Sequence, residues 1–427
     1  MSAYEFDLNS SQPLYLQIYE KFIFQMHKGY IKQGEKLPSV RYLAKQLGVS
    51  KSTIENAYDK LLSEGYIVSY AKSGYFCDLP DIKKEKKRSI ISPKEQVPSH
   101  VLYDFSSRLM DYEHFDQKVW IRYTKEVLEN GTLMAGYGNP QGEESLREQL
   151  SNYLYTSRNL QAKPQNLLIG AGISPLLYYI CSLFKHKTLK VGFIKPGFNQ
   201  AMSIFEDCHH EVVLLDGLDD ISTINIDLLY LTPSSYHLTM KKRKELLIYL
   251  KQKNIYLIED DLNGEMYFRN APKPCMQSLY EEDMVFYLSS FSNFLLPSVR
   301  LAVLSIPETF DIHLDYYNQT ASRIEQQVFA MYLQDGHMAR RSRRLKRQYL
   351  KKAELMESLL KDHFKEIILI EPNLCFEIHD DFSKINVDNT IQFHKLNNHT
   401  IRLYFSGLNE AMIENGIQYF IQKWKLG

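Results

Sequence analysis

The stretch "KLPSVRYLAKQLGVSKSTIENAYDKLLSEGYI", residues 36–67, has the pattern of two short helices joined by a tight turn. Gly48 permits the left-handed backbone that such a turn needs, and Ser50 is of a type that caps the next helix. The apolar residues of the second helix are predicted to share one buried face: Ile54, Ala57, Tyr58, Leu61 and Leu62. The pattern therefore predicts a helix-turn-helix.

The opposite face of the second helix is polar and is predicted to be free for recognition. Its residues are Lys51, Ser52, Glu55, Asn56 and Lys60. Small hydrogen-bonding and basic side chains at a helix N-terminus suit the major groove of DNA. The next stretch, "GYIVSYAKSGYFC" (65–77), alternates apolar and polar residues around Ser73 and Gly74, which predicts a β-hairpin that can bring Lys72 and Gly74 near DNA. A three-helix packing domain with a solvated polar face is the alternative.

The length and charge of the whole chain limit the alternatives. At 427 residues, with 44% hydrophobic residues, the chain predicts two domains or one large α/β unit with an appendage. Lysine and arginine number 51 and aspartate and glutamate also number 51, so the net charge indicates neither a nucleic-acid nor a membrane partner. Any basic surface must therefore be local.

Five widely spaced cysteines, at positions 77, 181, 208, 275 and 375, form no CxxC pair. This spacing argues against a disulfide framework and against a cysteine-based zinc site, so we expect no metal. We find neither a secretory signal pattern nor an apolar run of roughly 20 residues, the length that spans a bilayer. The sequence therefore predicts a cytoplasmic protein that does not enter a membrane.

The pattern changes twice along the rest of the chain. Residues 81–100, "DIKKEKKRSIISPKEQVPSH", are rich in charge and proline and predict a solvated linker. From residue 101 onward, short apolar runs alternate with longer helical stretches, which is typical of an α/β fold with a mostly parallel sheet. We therefore expect a DNA-binding domain at 1–80, a linker at 81–100 and a large domain at 101–427.

One basic segment in the large domain, "HMARRSRRLKRQYLKKA" (337–353), has helical spacing. Four of its cations are predicted to lie on one face: Arg340, Arg344, Arg347 and Lys351. A solvated helix is the simplest interpretation, and an auxiliary contact with the DNA backbone is the alternative.

Residues 13–77 closely resemble the winged helix-turn-helix domain of GntR-type bacterial regulators. In that family the residues that match Arg41, Ser52 and Thr53 contact DNA. The resemblance therefore implies a double-stranded DNA operator as partner and these three residues as its contacts, with Lys51 and Gly74 as further candidates.

The large segment carries, in order, "GYGNPQGEESLREQLSNYL", "NLLIGAGISPLLYYI", "KPGF", "LTPSSYHLTM", "EDDLNGEMYF", "SSFSNFLLPSVRLAVL" and "IRLYFSGL". This order resembles that of fold-type-I aminotransferases. A GntR-like reader joined to such a domain is similar to the MocR subfamily of regulators. The resemblance implies that the large domain binds pyridoxal phosphate, senses an amino compound and forms a head-to-tail homodimer.

The resemblance also implies roles for single residues. Ser290, Ser292 and Arg300 match the phosphate cup, where hydroxyls and a guanidinium suit an anion. Asp260 matches the carboxylate that pairs with the pyridinium nitrogen of the cofactor. Phe198 stands at the aromatic position of a "PGY" motif, and Arg402 matches the arginine that binds a substrate carboxylate.

Two positions depart from the family pattern. Asn293 stands where the cofactor lysine is expected, and an amide cannot form a Schiff base. Leu262 stands where a tyrosine usually contacts the cofactor. We therefore expect a regulator without transaminase activity, whose pocket binds pyridoxamine phosphate or pyridoxal phosphate without a covalent bond, the Asn293 amide contacting the ligand's amino group.

Three alternatives remain open for the large domain. In the first, Lys195 or Lys241 replaces the missing amine, which gives a pyridoxal-phosphate-dependent sensor or an aminotransferase. In the second, Asp260 and Arg300 pair with each other and only hold the fold. In that case the domain would be a ligand-free scaffold for dimerisation.

Overall fold

The computed structural model describes residues 12–78, 101–106, 115–195, 197–236, 238–279, 283–292, 294–314, 318–383, 385 and 389–426. The chain divides into two compact units, Met1–Val97 and Pro98–Gly427. The predicted linker at 81–100 and the predicted contact Asn293 lie outside the described residues.

The N-terminal unit contains three helices and a hairpin. Its elements are α1 (Leu14–His27), α2 (Val40–Leu47), α3 (Lys51–Ser63), β1 (Ile67–Tyr70) and β2 (Gly74–Cys77). Ser39 caps α2 and Ser50 caps α3, each by accepting a hydrogen bond from a backbone N–H of the first turn. Gly48 ends α2 with a φ of 67°, in the left-handed region as predicted. Short-range chemistry therefore fixes the turn between the two helices.

The buried face of α3 differs from the prediction at one position. Ile54, Ala57, Tyr58 and Leu61 are fully buried, but Leu62 is 40% exposed. Leu62 lies at the edge of the apolar stripe in the last turn, where no described element covers it. Its predicted burial was therefore wrong.

The hairpin is antiparallel, and its tip lies slightly earlier than the sequence indicated. Tyr70 pairs with Gly74, so residues 71–73 form the turn. Lys72 at the tip has a φ of 61° and Gly74 has a φ of 105°. A non-glycine residue at 74 would be strained because L residues rarely adopt this backbone conformation.

The larger unit contains nine described helices and twelve described strands. In chain order its elements are β3 (Tyr103–Phe105), α4 (Gln117–Glu129), α5 (Gly131–Ala135), α6 (Glu144–Arg158), β4 (Leu167–Ala171), α7 (Ile173–Leu183), β5 (Lys190–Ile194), α8 (Asn199–Asp207), β6 (Glu211–Leu215), β7 (Leu228–Leu231), α9 (Met240–Gln252), β8 (Tyr256–Asp260), β9 (Val285–Ser290), β10 (Leu301–Ser305), α10 (Arg323–Gln334), α11 (His337–Leu360), β11 (Glu366–Ile370), β12 (Cys375–His379), β13 (Ile391–Lys395), β14 (Thr400–Tyr404) and α12 (Glu410–Leu426).

Seven strands form one sheet in the order β4-β10-β9-β8-β7-β5-β6. The pairs from β9 to β6 are parallel, whereas β10 runs antiparallel to both of its neighbours. The central strands of this seven-stranded sheet are almost wholly buried, as expected of a sheet with helices on both faces. The predicted mostly parallel α/β fold is confirmed.

The remaining strands form a second sheet in the order β11-β12-β14-β13-β3. It is antiparallel except where β13 pairs with β3.

Among the described residues, no helix has the length and apolar character that a bilayer crossing requires.

Candidate functional site

The predicted DNA-reading residues lie at the exposed ends of α2 and α3. Arg41 and Lys51 are exposed, and neither has a hydrogen bond or ion pair with another described residue. The hydroxyls of Ser52 and Thr53 lie 2.8 and 2.7 Å from the Ser50 hydroxyl. Thus the two cations are free for a partner, while the two hydroxyls are already oriented by the helix cap.

One further residue near the hairpin escaped the sequence analysis. Lys36 pairs with Phe76 in an isolated β-bridge, and its ammonium lies over the Phe76 ring at 5.8 Å. Its side chain also lies beside Gly74, because a Cβ built there would be 3.4 Å from the Lys36 Cε. Lys36 therefore places a cation beside the hairpin, where the sequence had indicated only the cation of Lys72.

In the larger unit a cavity of about 490 Å³ opens at the carboxyl ends of β5, β7, β8 and β9. Open α/β sheets bind ligands at this edge. Five of the predicted ligand residues line the cavity: Phe198, Asp260, Ser290, Arg300 and Arg402. Ser292 is not among the described lining residues, but its hydroxyl lies 3.1 Å from the Ser290 hydroxyl.

One end of the cavity is formed by Arg300 and the start of α7. Gly172 precedes this helix with a φ of 80°, and a Cβ there would lie 2.5 Å from Nη2 of Arg300. The missing side chain of Gly172 therefore makes room for the guanidinium. Arg300 has no hydrogen bond or ion pair with any described residue, so the predicted alternative of an Asp260–Arg300 pair is not observed there. A free cation beside free helix N–H groups suits a phosphate.

Asp260, at the end of β8, also lines the cavity. Tyr230 donates a hydrogen bond of 2.7 Å to Oδ2 of Asp260, and Thr232 Oγ1 lies 3.4 Å from the same oxygen. Burial raises the pKa of Asp260 to about 6, although the hydrogen bond from Tyr230 favours the ionised carboxylate. A cationic ring nitrogen in the cavity would supply the missing counter-charge.

Aromatic rings line the cavity next to Asp260. The Phe198 ring is stacked near Tyr230 at a centroid distance of 6.3 Å, and Tyr230 is in turn stacked on Phe193 at 5.0 Å. Sequence analysis missed Tyr230 because nothing in "DLLYLTP" separates this tyrosine from an ordinary core residue of a buried strand.

The carboxylate-binding position differs most from expectation. Arg402 donates from Nε to Oε2 of Glu377 at 2.9 Å, and the two residues are direct cross-strand partners on β14 and β12. Burial, the largest single effect, opposes the charge of Arg402, but the hydrogen bond with Glu377 and the charges nearby together outweigh it, so the pKa of Arg402 is raised. The arginine therefore already has an anionic partner. His394, its neighbour on β13, also lines the cavity.

Neither candidate replacement lysine is suited to covalent chemistry. Lys195 is the only lysine among the described residues that line the cavity, and its Nζ lies 2.7 Å from Oδ1 of Asp216. The hydrogen bond to Asp216 raises the pKa of Lys195, whereas a nucleophilic amine requires a lowered one. Lys241 lies on exposed α9 near Glu245 and does not line the cavity.

The basic helix α11 divides its cations between the interior and the surface. Arg341 is fully buried and Arg344 forms an ion pair with Asp116 at 2.9 Å. Arg340, Arg343, Arg347 and Lys351 are exposed. Arg344 is 40% exposed, but its guanidinium is bound by Asp116, which precedes α4, and Arg343 is a further exposed cation of this helix.

Clusters of three or more histidine, cysteine or acidic residues with metal-binding geometry are absent from the described part of the chain. All five cysteines are free thiols.

Each of the two units matches a known protein family. Residues 14–77 match the family of bacterial regulatory proteins of the gntR type, and residues 103–229 match aminotransferase class I and II. A kynurenine aminotransferase of Pyrococcus horikoshii, solved with PMP, is 18% identical and has a TM-score of 0.65 over 77% of this chain and 92% of its own. This likeness shows the fold of the larger unit.

Two curated relatives share both domains over most of their length. The uncharacterized HTH-type transcriptional regulator YdeL of Bacillus subtilis is 30% identical over 97% of both chains. The probable rhizopine catabolism regulatory protein MocR of Rhizobium meliloti is 24% identical over 86% of this chain and 81% of its own. The chain therefore belongs to the MocR-type regulators of the GntR family, which join a winged helix-turn-helix domain to an aminotransferase-like domain.

Proposed function

We propose that the aminotransferase-like domain of this DNA-binding transcriptional regulator holds a phosphorylated pyridine ligand without a covalent bond. We further propose that the domain transfers no amino group and instead reports ligand binding to the DNA-binding domain. Pyridoxamine phosphate is the ligand that fits this proposal, because it already carries its amino group.

The observation that carries the proposal is the free guanidinium of Arg300 against Gly172. Arg300 is an exposed cation that lines the cavity beside the N-terminus of α7, so its charge is available to an anion in the cavity. Ser290 adds a hydroxyl on the same cavity wall. These groups can hold the phosphate, and they do not require a lysine.

Asp260 and Phe198 can hold the ring of the same ligand. The ionised Asp260 carboxylate would accept a hydrogen bond from a protonated ring nitrogen, and Phe198 would contact the ring. When pyridoxal phosphate is bound through a lysine, its ring supplies an electron sink for amino-acid chemistry. In this chain the residues bind and orient a ring, and we propose that no amine completes that chemistry.

Asn293 and Leu262 support the non-catalytic part of the proposal. Asn293 replaces the lysine in the sequence, and Leu262 lines the cavity where a phenol is usual. Lys195, the alternative amine, is held by Asp216. A pyridoxal-phosphate-dependent sensor or aminotransferase acting through Lys195 is the competing function, and a borohydride-reducible adduct lost in Lys195→Ala would identify it.

We also propose that the regulator acts as a homodimer on two half-sites of duplex DNA. Arg41, Lys51, Ser52, Thr53 and Gly74 are the proposed contacts in each reader. A dimer places two readers on one duplex, so the spacing of the half-sites is set by protein geometry. Additional contacts by α11 would appear as a lower salt dependence of DNA binding in Arg347→Ala.

The experiment that tests the proposal measures ligand-dependent DNA binding by the full chain. An operator is first selected from random duplexes, and its affinity is measured by fluorescence anisotropy with and without pyridoxamine phosphate. We expect the ligand to change the affinity of the unaltered chain and to have no effect on Arg300→Ala. Equal affinities under all conditions would show that the domain does not report this ligand.

A further inference from the structure

The pair formed by Arg402 and Glu377 is a built feature of the second sheet. The two residues are cross-strand partners, and their side chains are 27% and 17% exposed. Nε of Arg402 is bound to Oε2 of Glu377 at 2.9 Å. Arg402 lines the cavity, whereas Glu377 is not among its described lining residues and lies beside Arg402 on the neighbouring strand. The Glu377 carboxylate therefore affects ligands in the cavity through its partner Arg402.

Glu377 is itself held in place by the next row of the sheet. Nε2 of His379 lies 3.5 Å from Oε1 of Glu377, and Nδ1 of His379 lies 3.3 Å from the Thr400 hydroxyl. His379 and Thr400 are the next cross-strand pair on the same face of the sheet, with the pair Ile378–Ile401 between them. The position of Glu377 thus follows from strand register and does not depend on a ligand.

The consequence is electrostatic. A carboxylate that approached Arg402 from the cavity would be attracted by the guanidinium and repelled by the Glu377 carboxylate bound to it. In a partly buried site both effects act at close range and little solvent screens them. The pair leaves this end of the cavity without net charge, unlike an arginine that has no acid beside it. Selectivity of this kind arises from a repulsive element built against one class of ligand.

We propose that Glu377 is a specificity-determining residue that excludes ligands bearing a carboxylate beside their amino group. The pocket then takes a phosphorylated pyridine amine without a carboxylate, and an amino-acid adduct of the same ring is disfavoured. This inference rests on the proposed function and names the ligand class of the same pocket.

Two probes that differ only in the carboxylate test the inference. They are N-(5'-phosphopyridoxyl)-L-leucine and its analogue made from 3-methylbutylamine. Both are titrated calorimetrically at about pH 8 into the full chain, into Glu377→Gln and into the control Glu366→Gln. Glu366 is an exposed acid on the same sheet, so its variant carries the same change of charge. Gln at 377 retains an oxygen for Nε of Arg402.

In the unaltered chain and in Glu366→Gln, we expect the amine probe to bind at least as tightly as the leucine probe. In Glu377→Gln, we expect the leucine probe to gain about tenfold over the amine probe, the increment of one charge-assisted interaction. The double variant Glu377→Gln with Arg402→Met should lose this gain, because the two residues act as a coupled pair.

Each other outcome has a distinct meaning. A tenfold preference of the unaltered chain for the leucine probe, or an unchanged ratio in Glu377→Gln, would overturn the role of Glu377 and leave the proposed function intact. Pyridoxamine phosphate binding by Glu377→Gln reports that this variant is folded. Should it fail to fold, Arg402→Met alone decides: the unpaired Glu377 carboxylate should then strengthen the preference for the amine probe, and an unchanged ratio would overturn the role of Glu377. No binding of either probe or of pyridoxamine phosphate by the unaltered chain would overturn both proposals.

Discussion

Tyr230 donates its hydroxyl to Asp260 across two neighbouring parallel strands, with 2.7 Å between Oη and Oδ2. No cation among the described residues forms an ion pair with this carboxylate. The free energy of the empty pocket is therefore raised by a buried acid, and a ligand with a cationic ring nitrogen would relieve that cost. Local chemistry that is unfavourable for folding is expected at a functional site.

Asp260→Asn is predicted to stabilise the larger unit at alkaline pH. Burial raises the pKa of Asp260 to about 6, above the value of 3.8 taken for an exposed aspartate. A raised pKa means that stability is present at low pH and is lost as the pH rises through about 6. Asparagine removes this loss. The free energy of unfolding of the variant, relative to that of the unaltered chain, should therefore rise by about 1–3 kcal/mol from acidic to alkaline pH.

Urea unfolding at about pH 5 and about pH 8 measures this difference. Both tryptophans, Trp120 and Trp424, lie in the larger unit, so their fluorescence reports its unfolding. If Asp260→Asn and the unaltered chain differed by the same free energy of unfolding at both pH values, ionisation of Asp260 would not lower stability and the prediction would be wrong.

Arg41→Ala is predicted to weaken binding to a selected operator. The side chain is exposed and has no described partner, and loss of a base contact costs roughly 1–3 kcal/mol. Lys28→Ala removes one positive charge elsewhere in the same domain and serves as the control. Thr53→Ala should also weaken binding, and equal affinities of all three variants would refute the assignment of the reading face.

Dimerisation is predicted to depend on the exposed face of α4. Ile121 and Leu128 are seven residues apart on this helix and are 58% and 51% exposed. Sedimentation at micromolar concentration should show a dimer for the unaltered chain and a monomer for Ile121→Glu combined with Leu128→Glu. Ile248→Glu on α9, where Ile248 is 46% exposed, is the control and should remain dimeric. A monomeric unaltered chain would contradict the proposal.

The missing amine is predicted to be replaceable. Asn293→Lys combined with Leu262→Tyr should produce a coloured adduct with pyridoxal phosphate that borohydride reduces, because the two changes supply an amine and a phenol. The unaltered chain should stay colourless under the same conditions. A reducible adduct in the unaltered chain would instead indicate attachment to another lysine.

The sequence predicted the features that neighbouring residues determine. Ser50 and Gly48 set the helix-turn-helix through caps and a left-handed turn, which depend on a few adjacent residues. The phosphate-binding candidates Ser290 and Arg300 could be found because their motif is contiguous. Leu62 was missed because burial at the edge of a helical stripe depends on which element covers it.

Other residues required the tertiary structure. Glu377 meets Arg402 only through the register of β12 and β14, and the two residues are far apart in the chain. Arg344 of α11 forms an ion pair with Asp116, more than 200 positions away. Distant contacts of this kind leave no periodic signal in a sequence, so neither ion pair could be predicted.

Calorimetric titration with pyridoxamine phosphate tests the central claim most directly. The unaltered chain should bind this ligand with micromolar affinity, since a few charge-assisted hydrogen bonds of about 1.5–3 kcal/mol each are offset in part by the cost of ordering the ligand. Arg300→Ala should abolish the heat, while Lys195→Ala should leave it unchanged because Lys195 is paired with Asp216. No heat and no thermal shift with the unaltered chain would contradict the account, and the larger domain would then be a scaffold that binds no such ligand.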